Sequence, residues 1–331
     1  MFSIAGIDLL EQELLDHERT LLEILLQDKT TKKNIIWATD DYAELGEPYS
    51  FKKEILPELV TGEQDSLIQP RVEKALEHQT NRTRDKAEVF TPSWICNAQN
   101  NLVDEQWFGR KDVFNIQKEM SWKATADKIA FPDDRQHTWQ KYVDAQRLEI
   151  SCGEAPYLVS RYDTVTGEAI PISQRIGLLD RKLRVVSENT DTEEEWFTWT
   201  KRAFQSVYGF EYQGDSLLLA RENLFVTFVE VYRERFGKLP HLRQMKVIAN
   251  IIANLWQMDD TKYVVPGSCK ENKIEIISWF GSEEQIDLCP GCKSGNIRVH
   301  NGIYSIIKDW RSNQTMTFLS MVRGGSANGS V

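Results

Sequence analysis

The first regular pattern along the chain is apolar. Leu9, Leu10, Leu14, Leu21, Leu22 and Leu25 recur near helical spacing and predict an opening helix. Ile35, Ile36 and Trp37 form a short apolar run and read as a strand. In "FTPSWICNAQNNLVDEQWF", from Phe90 to Phe108, Pro92 stands where the first turn of a helix tolerates it. Residues 137–146 read as a helix that feeds the strand "RLEIS", which begins at Arg147. That strand runs into a Cys-Gly turn and a helix-like segment, "CGEAPYLV". A polar, charged segment follows to Thr192. "TEEEWFTWTKRAFQ" is then a helix with acids in its first turn, where the helix dipole favours them. "VYGFE" (207–211) is a short strand; Gly214 makes a turn, Asp215 or Ser216 caps, and a long amphipathic helix runs to Phe236. "RQMKVIANIIANLWQMDD" gives one more helix and a strand, and residues 300–321 give two short strands around a polar turn. Helices alternating with short strands predict an α/β fold with a mostly parallel sheet.

Composition narrows the class. Aromatic residues make up 10% and hydrophobic residues 41% of 331 positions, enough for a packed core and too many for a disordered chain. No apolar run approaches the ~20 residues of a membrane span. The N-terminus carries acids where a secretory signal needs positive charge, so the expected location is cytoplasmic. The formal net charge of −10 argues against a whole-protein field that attracts nucleic acid; DNA binding would need a local patch or a partner chain. The basic patches are Asn81 to Lys86 and Phe108 to Lys111. The Gly/Ser-rich tail, 323–331, is expected to be disordered.

Candidate chemistry gathers at two strand ends. In parallel α/β sheets, ligands bind outside the carboxyl ends of the strands. One such end holds Glu149, Ser151, Cys152, Gly153 and Ala155; the next holds Glu211, placed to accept hydrogen bonds from ribose hydroxyls. Phosphate suits the turn poorly, because it has one glycine and acids at both ends, Glu149 and Glu154. S-adenosylmethionine, with its sulfonium and amino groups, suits an acidic pocket better.

These segments resemble a known family. "KAEVFTPSW", "LEISCGEAPYLV" and "VYGFEYQGDSLLLARENL" are similar, in this order, to motifs of gamma-type DNA adenine methyltransferases, and the pattern from about Lys33 to about Leu319 is similar to bacterial proteins labelled restriction endonuclease subunit M. The resemblance implies a Rossmann-like methyltransferase fold, S-adenosylmethionine as cofactor and DNA as partner in a restriction-modification or phage-defence system. It implies that Phe90, Thr91 and Pro92 lie near the methionine end of the cofactor, that Glu149, Cys152, Gly153 and Ala155 form the loop under it, that Glu211 holds the ribose, and that Asp259 or Asp260 meets the adenine amino group. Ala155 departs from the family's second loop glycine, and a methyl there restricts backbone approach. The Asn-Pro-Pro-Tyr motif that would serve the target base is missing: the chain contains no Pro-Pro dipeptide, and "EAPYL" is the nearest string. The alternative is therefore a non-catalytic cofactor- or DNA-binding subunit completed by a second methyltransferase or restriction chain.

Five cysteines without a secretory signal argue against a disulfide scaffold. Cys269, Cys289, Cys292 and His300 instead have the spacing of a structural zinc knuckle. The expected organisation is an N-terminal accessory region (1–85), a cofactor-binding domain (86–265) and a Cys-rich element (266–322) before the tail.

Overall fold

The computed structural model describes residues 11–74, 91–278 and 281–324. Phe90 and the basic stretch 81–86 lie outside the described residues. Helix α1 (Glu11–Leu26) matches the leucine pattern but is broken at Glu18, whose backbone is extended (φ −167°, ψ 102°). The break turns Leu14 in the first half and Leu21, Leu22 and Leu25 in the second into one core. The predicted strand at Ile35–Trp37 is not formed: Ile36 makes a single bridge with Glu54, while Ile35 and Trp37 are fully buried in an irregular segment.

The chain continues through α2 (Ser93–Phe108), the hairpin β1 (Asn115–Lys118) and β2 (Ser121–Ala124), and the short α3 (Trp139–Asp144). Three parallel strands follow: β3 (Arg147–Glu149), β4 (Val207–Glu211) and β5 (Leu255–Gln257), side by side in that order. Glu149 pairs with Gly209, and Glu211 with Gln257, so the carboxyl ends of all three strands lie together. Two helices connect each neighbouring pair: α4 (Leu178–Asn189) and α5 (Glu193–Gln205), then α6 (Gly214–Phe236) and α7 (Leu242–Ile252). The described protein is thus mixed α/β with a three-stranded parallel sheet. Residues of α1 and of the irregular segment to Ile68 share its main core.

Period-two alternation splits the sheet between two apolar clusters. Val207 and Leu255 face the helices, whereas Phe210 and Trp256 pack with Ile307 and Phe318. The latter come from β8 (Ile306–Asp309) and from α9 (Phe318–Gly324), which follows β9 (Gln314–Thr317). The sequence expectation of two strands around a polar turn holds here, as β8 and β9 pair antiparallel. Between β5 and β8 lie the hairpin β6 (Asn272–Ser278) and β7 (Gly281–Asp287) and a single helical turn, α8 (Pro290–Ser294).

Two expectations need correction. Helix α6 is not amphipathic over its first four turns: every residue from Gly214 to Val229 is buried, because α1, α4, α7 and the sheet surround it. Its N-cap is Gln213, so Asp215 and Ser216 sit inside the first turn, and Gly214 is needed for another reason: a Cβ there would lie 2.1 Å from the Ile36 carbonyl oxygen. Also, no helix follows the Cys-Gly turn directly. Residues 153–159 form turns, and the next α-helix begins only at Leu178.

Candidate functional site

The turn after β3 is built from alternating left-handed residues. Ser151 (φ 50°), Gly153 (φ 52°) and Ala155 (φ 61°) all have positive φ. At Ala155, whose methyl is fully buried, this conformation costs about 1 kcal/mol. The turn is pinned to the neighbouring strand: Cys152 N–H donates to the Phe210 carbonyl at 2.7 Å, and Gly153 N–H to Glu211 Oε2 at 2.8 Å. Gly209 makes room for this, since a Cβ on it would press against Cys152 Sγ at 3.3 Å.

Glu211 ends β4. Its Oε1 accepts from Tyr212 N–H (2.8 Å) and Gln213 N–H (3.1 Å). Burial pushes its carboxyl above the ordinary range, against these backbone donors. Glu149 ends β3 and is less well served. Its Oε1 has one long contact, 3.4 Å from Tyr157 N–H, and Oε2 has no hydrogen-bond partner among the described residues. Burial pushes this carboxyl up to about 8, so it is largely uncharged at neutral pH.

The loop after β5 completes the group. Asp260 Oδ2 accepts from Ser151 Oγ–H at 3.3 Å and so joins the β3 and β5 loops. Asp259 is bound in its own turn: Oδ1 accepts from Thr261 N–H (3.1 Å) and Oγ1–H (2.6 Å), and Oδ2 lies 3.0 Å from Lys262 Nζ. Met258 N–H, just before it, donates to the Glu211 carbonyl at 2.9 Å, which places Asp259 beside the β4 end. Helix α2 brings up the remaining segment. The Thr91 carbonyl accepts from Thr164 Oγ1–H at 3.2 Å, Pro92 caps the helix, and Ser93 N–H donates to Asp163 Oδ2 at 2.7 Å. Four residues on from Pro92, the Cys96 thiol is pushed up to about 12, first by burial and next by the nearby Glu149 charge. Glu149, Ser151, Cys152, Gly153, Ala155, Glu211, Asp259 and Asp260 therefore belong to one region at the carboxyl end of the sheet, while Thr91 and Pro92 are held by the 163–164 turn. "EAPYL" serves the scaffold: Glu154 accepts from Arg71 N–H (2.7 Å) and Tyr162 O–H (2.6 Å).

Sequence reasoning missed the residues that brace this region from behind. Gln257 donates to the Ile36 and Tyr212 carbonyls and accepts from Ile36 N–H. Asp215 accepts from Tyr42 O–H at 2.8 Å and lies 3.5 Å from Lys74 Nζ. Local pattern offered Asp215 only as a helix cap and did not mark Gln257, because these partners lie 45 to 221 positions away. A cavity of about 680 Å³ lies elsewhere, lined among others by Ala126, Ile172, Arg175, Leu183 and Val231.

The second candidate centre is the Cys/His cluster. The ligand atoms of Cys269, Cys289, Cys292 and His300 all lie within 4.8 Å of one another. His300 Nδ1 is 3.6, 3.5 and 3.7 Å from the three Sγ atoms in turn. One ring N–H cannot point at three thiols, so the arrangement is a cage and not a hydrogen bond. Burial works to raise the Cys289 thiol, but N–H groups of Asn301, Cys292 and Gly291 and the His300 ring hold it at about 6. Burial and the other two thiols push Cys269 up to about 12. Three thiols so close cannot all ionise without a cation between them; the cluster could hold a metal such as zinc. Gly291 makes the approach possible, since a Cβ there would stand 2.4 Å from His300 Nδ1. No helix among the described residues is long and apolar enough to cross a membrane. Comparison with family models, with curated proteins and with solved structures gives no match to this chain.

Proposed function

We propose that this chain binds S-adenosylmethionine at the carboxyl ends of β3, β4 and β5 and works as a methyltransferase-like component that acts on DNA adenine. The observation that carries the reading is the pair Glu149 and Glu211, two buried carboxyls on adjacent parallel strands holding one turn between them. The unpartnered Glu149 oxygen suits an ammonium group, and Glu211, with lone pairs left beyond its backbone bonds, suits a ribose diol. Asp259 and Asp260 add acceptors for an exocyclic amine. The whole set favours a ligand rich in donors and positive charge, as this cofactor is. The arrangement would make the sheet the cofactor half of a Rossmann-like fold.

The chain has no Pro-Pro dipeptide to build the family's target-base site. That observation favours a second reading, in which the catalytic motif lies on a partner chain and this one supplies cofactor or DNA contacts. Calorimetric titration with S-adenosylmethionine tests the common part. Binding that Glu211→Ala abolishes supports the site; no binding at millimolar cofactor overturns it. Methyl transfer to DNA by the isolated chain would then overturn the partner reading.

We also propose that the Cys/His cage holds zinc. Zinc–sulfur and zinc–nitrogen bonds of ~2.3 and ~2.05 Å at the tetrahedral angle put sulfur and nitrogen about 3.6 Å apart. The three separations from His300 Nδ1 are 3.5 to 3.7 Å. Four protein ligands leave no open position, so the zinc would be structural rather than catalytic.

A further inference from the structure

We infer that the metal centre is a clamp that holds the β5 loop, and with it Asp259 and Asp260, in its site-forming shape. The inference rests on the zinc reading above and does not need the cofactor reading. The β5 loop closes its own turn but depends on a distant segment for its position. Tyr263 holds a left-handed backbone (φ 61°), which a bulky residue keeps only where its surroundings impose it. Inside the loop, Tyr263 N–H (2.7 Å) and Lys262 N–H (3.2 Å) donate to the Asp259 carbonyl, Asp259 N–H donates to the Val264 carbonyl at 2.8 Å, and the Asp259 carboxylate holds Thr261 and Lys262.

Besides the Ser151 bond to Asp260, support comes from the chain returning out of the cage. Val265 N–H donates to the Ile303 carbonyl at 2.8 Å, and Ser305 N–H to the Tyr263 carbonyl at 3.1 Å. Val264 bridges both Asp259 and Tyr304. Ile303 N–H donates to Ser268 Oγ at 3.0 Å, next to the ligand Cys269. The loop and the returning segment are more than 35 positions apart in sequence, yet each is anchored within five residues of a metal ligand: Val264 and Val265 by Cys269, and Ile303 to Ser305 by His300. A metal that joins Cys269 to His300 fixes the two segments in register. Without it, closing so long a loop costs entropy that these few backbone bonds must offset alone.

Hydrogen exchange on the full chain, with metal content measured in the same samples, tests this. Zinc-loaded protein is compared with chelated protein, with Cys292→Ser, and with Val265→Pro. The last removes the donor to Ile303 while leaving every ligand in place. Emptying the cage should speed exchange of the Asp259 and Tyr263 amides roughly tenfold or more, while amides of α6 stay protected. Val265→Pro should do the same with zinc still bound. Unchanged exchange at Asp259 and Tyr263 after metal loss overturns the clamp, as does loss of protection throughout the protein. A chain that takes up no zinc fails earlier, at the metal reading, and the metal measurement separates the two failures.

Discussion

Replacing Glu149 with Gln isolates the most costly group in the carboxylate region. The side chain is buried at the end of β3, with one long contact at Oε1 and none at Oε2 among the described residues. Its pKa is raised from the ordinary 4.5 to about 8 by burial. A raised carboxyl means that the folded protein binds a proton the unfolded chain has released. Stability is therefore greatest below the unfolded pKa, falls as pH rises between 4.5 and about 8, and levels off above. At ~1.4 kcal/mol per unit, the full shift corresponds to about 5 kcal/mol. Relaxation and water entry ordinarily return half or more of such a penalty, which leaves about 2 kcal/mol. Glu149→Gln is nearly isosteric and cannot ionise, so its own curve should lack this fall. Urea unfolding at pH 5, 7 and 9 measures the difference. The variant should gain about 2 kcal/mol on wild type between pH 5 and pH 9. Parallel curves for the two proteins would refute the argument and show that Glu149 is solvated or paired in solution.

Other expectations follow from the same kind of geometry. Gly291→Ala puts a methyl 2.4 Å from His300 Nδ1, so zinc affinity in a chelator competition should fall roughly 10- to 100-fold while the sheet stays folded. At Gly177 a Cβ would meet the Leu158 carbonyl oxygen at 2.3 Å, and backbone cannot step aside; Gly177→Ala should cost about 3 kcal/mol in denaturant melts. Arg181→Met strips the buried Asp104 carboxylate of a guanidinium 2.5 Å away and should destabilise by ~3–5 kcal/mol, an effect that Arg181→Met with Asp104→Leu should largely relieve. If S-adenosylmethionine binds with its ammonium at Glu149, binding at pH 7 should release close to one proton. Calorimetry in buffers of different ionisation enthalpy reads this directly, and a release of zero would place the ammonium elsewhere.

Much of the local structure was legible because it depends on neighbours in sequence. Thr192 and the acids after it mark α5, where Thr192 accepts from Glu195 N–H at 3.2 Å. "VYGFE" is β4 to the residue, and the Cys/His spacing named Cys269, Cys289, Cys292 and His300, whose ligand atoms the fold brings within 4.8 Å of one another. Glu211 stood out as a strand end because it follows the apolar run 207–210, whereas Glu149 follows only one apolar residue, Leu148. Their juxtaposition was not legible. It arises because β3 and β4 pair in parallel with Glu149 beside Gly209, a pairing between segments 60 positions apart in sequence.

Where the sequence misled, tertiary packing overrode local pattern. The apolar run at Ile35–Trp37 became an irregular segment because its backbone groups found partners in Lys53, Gln257 and Gly214 instead of a strand. The polar positions of α6, such as Arg221 and Thr227, looked like a solvent face, yet both are fully buried. Arg221 reaches the carbonyls of Leu25, Gln27 and Leu255, which makes it a bolt between α1 and β5. Periodicity cannot distinguish a charge facing water from a charge facing distant carbonyls, because both satisfy the guanidinium. Local pattern therefore marked most helices and strands and named candidate residues at their ends. Only the tertiary structure decided which of those residues meet, since contacts between positions a hundred residues apart are set by packing and leave no local trace.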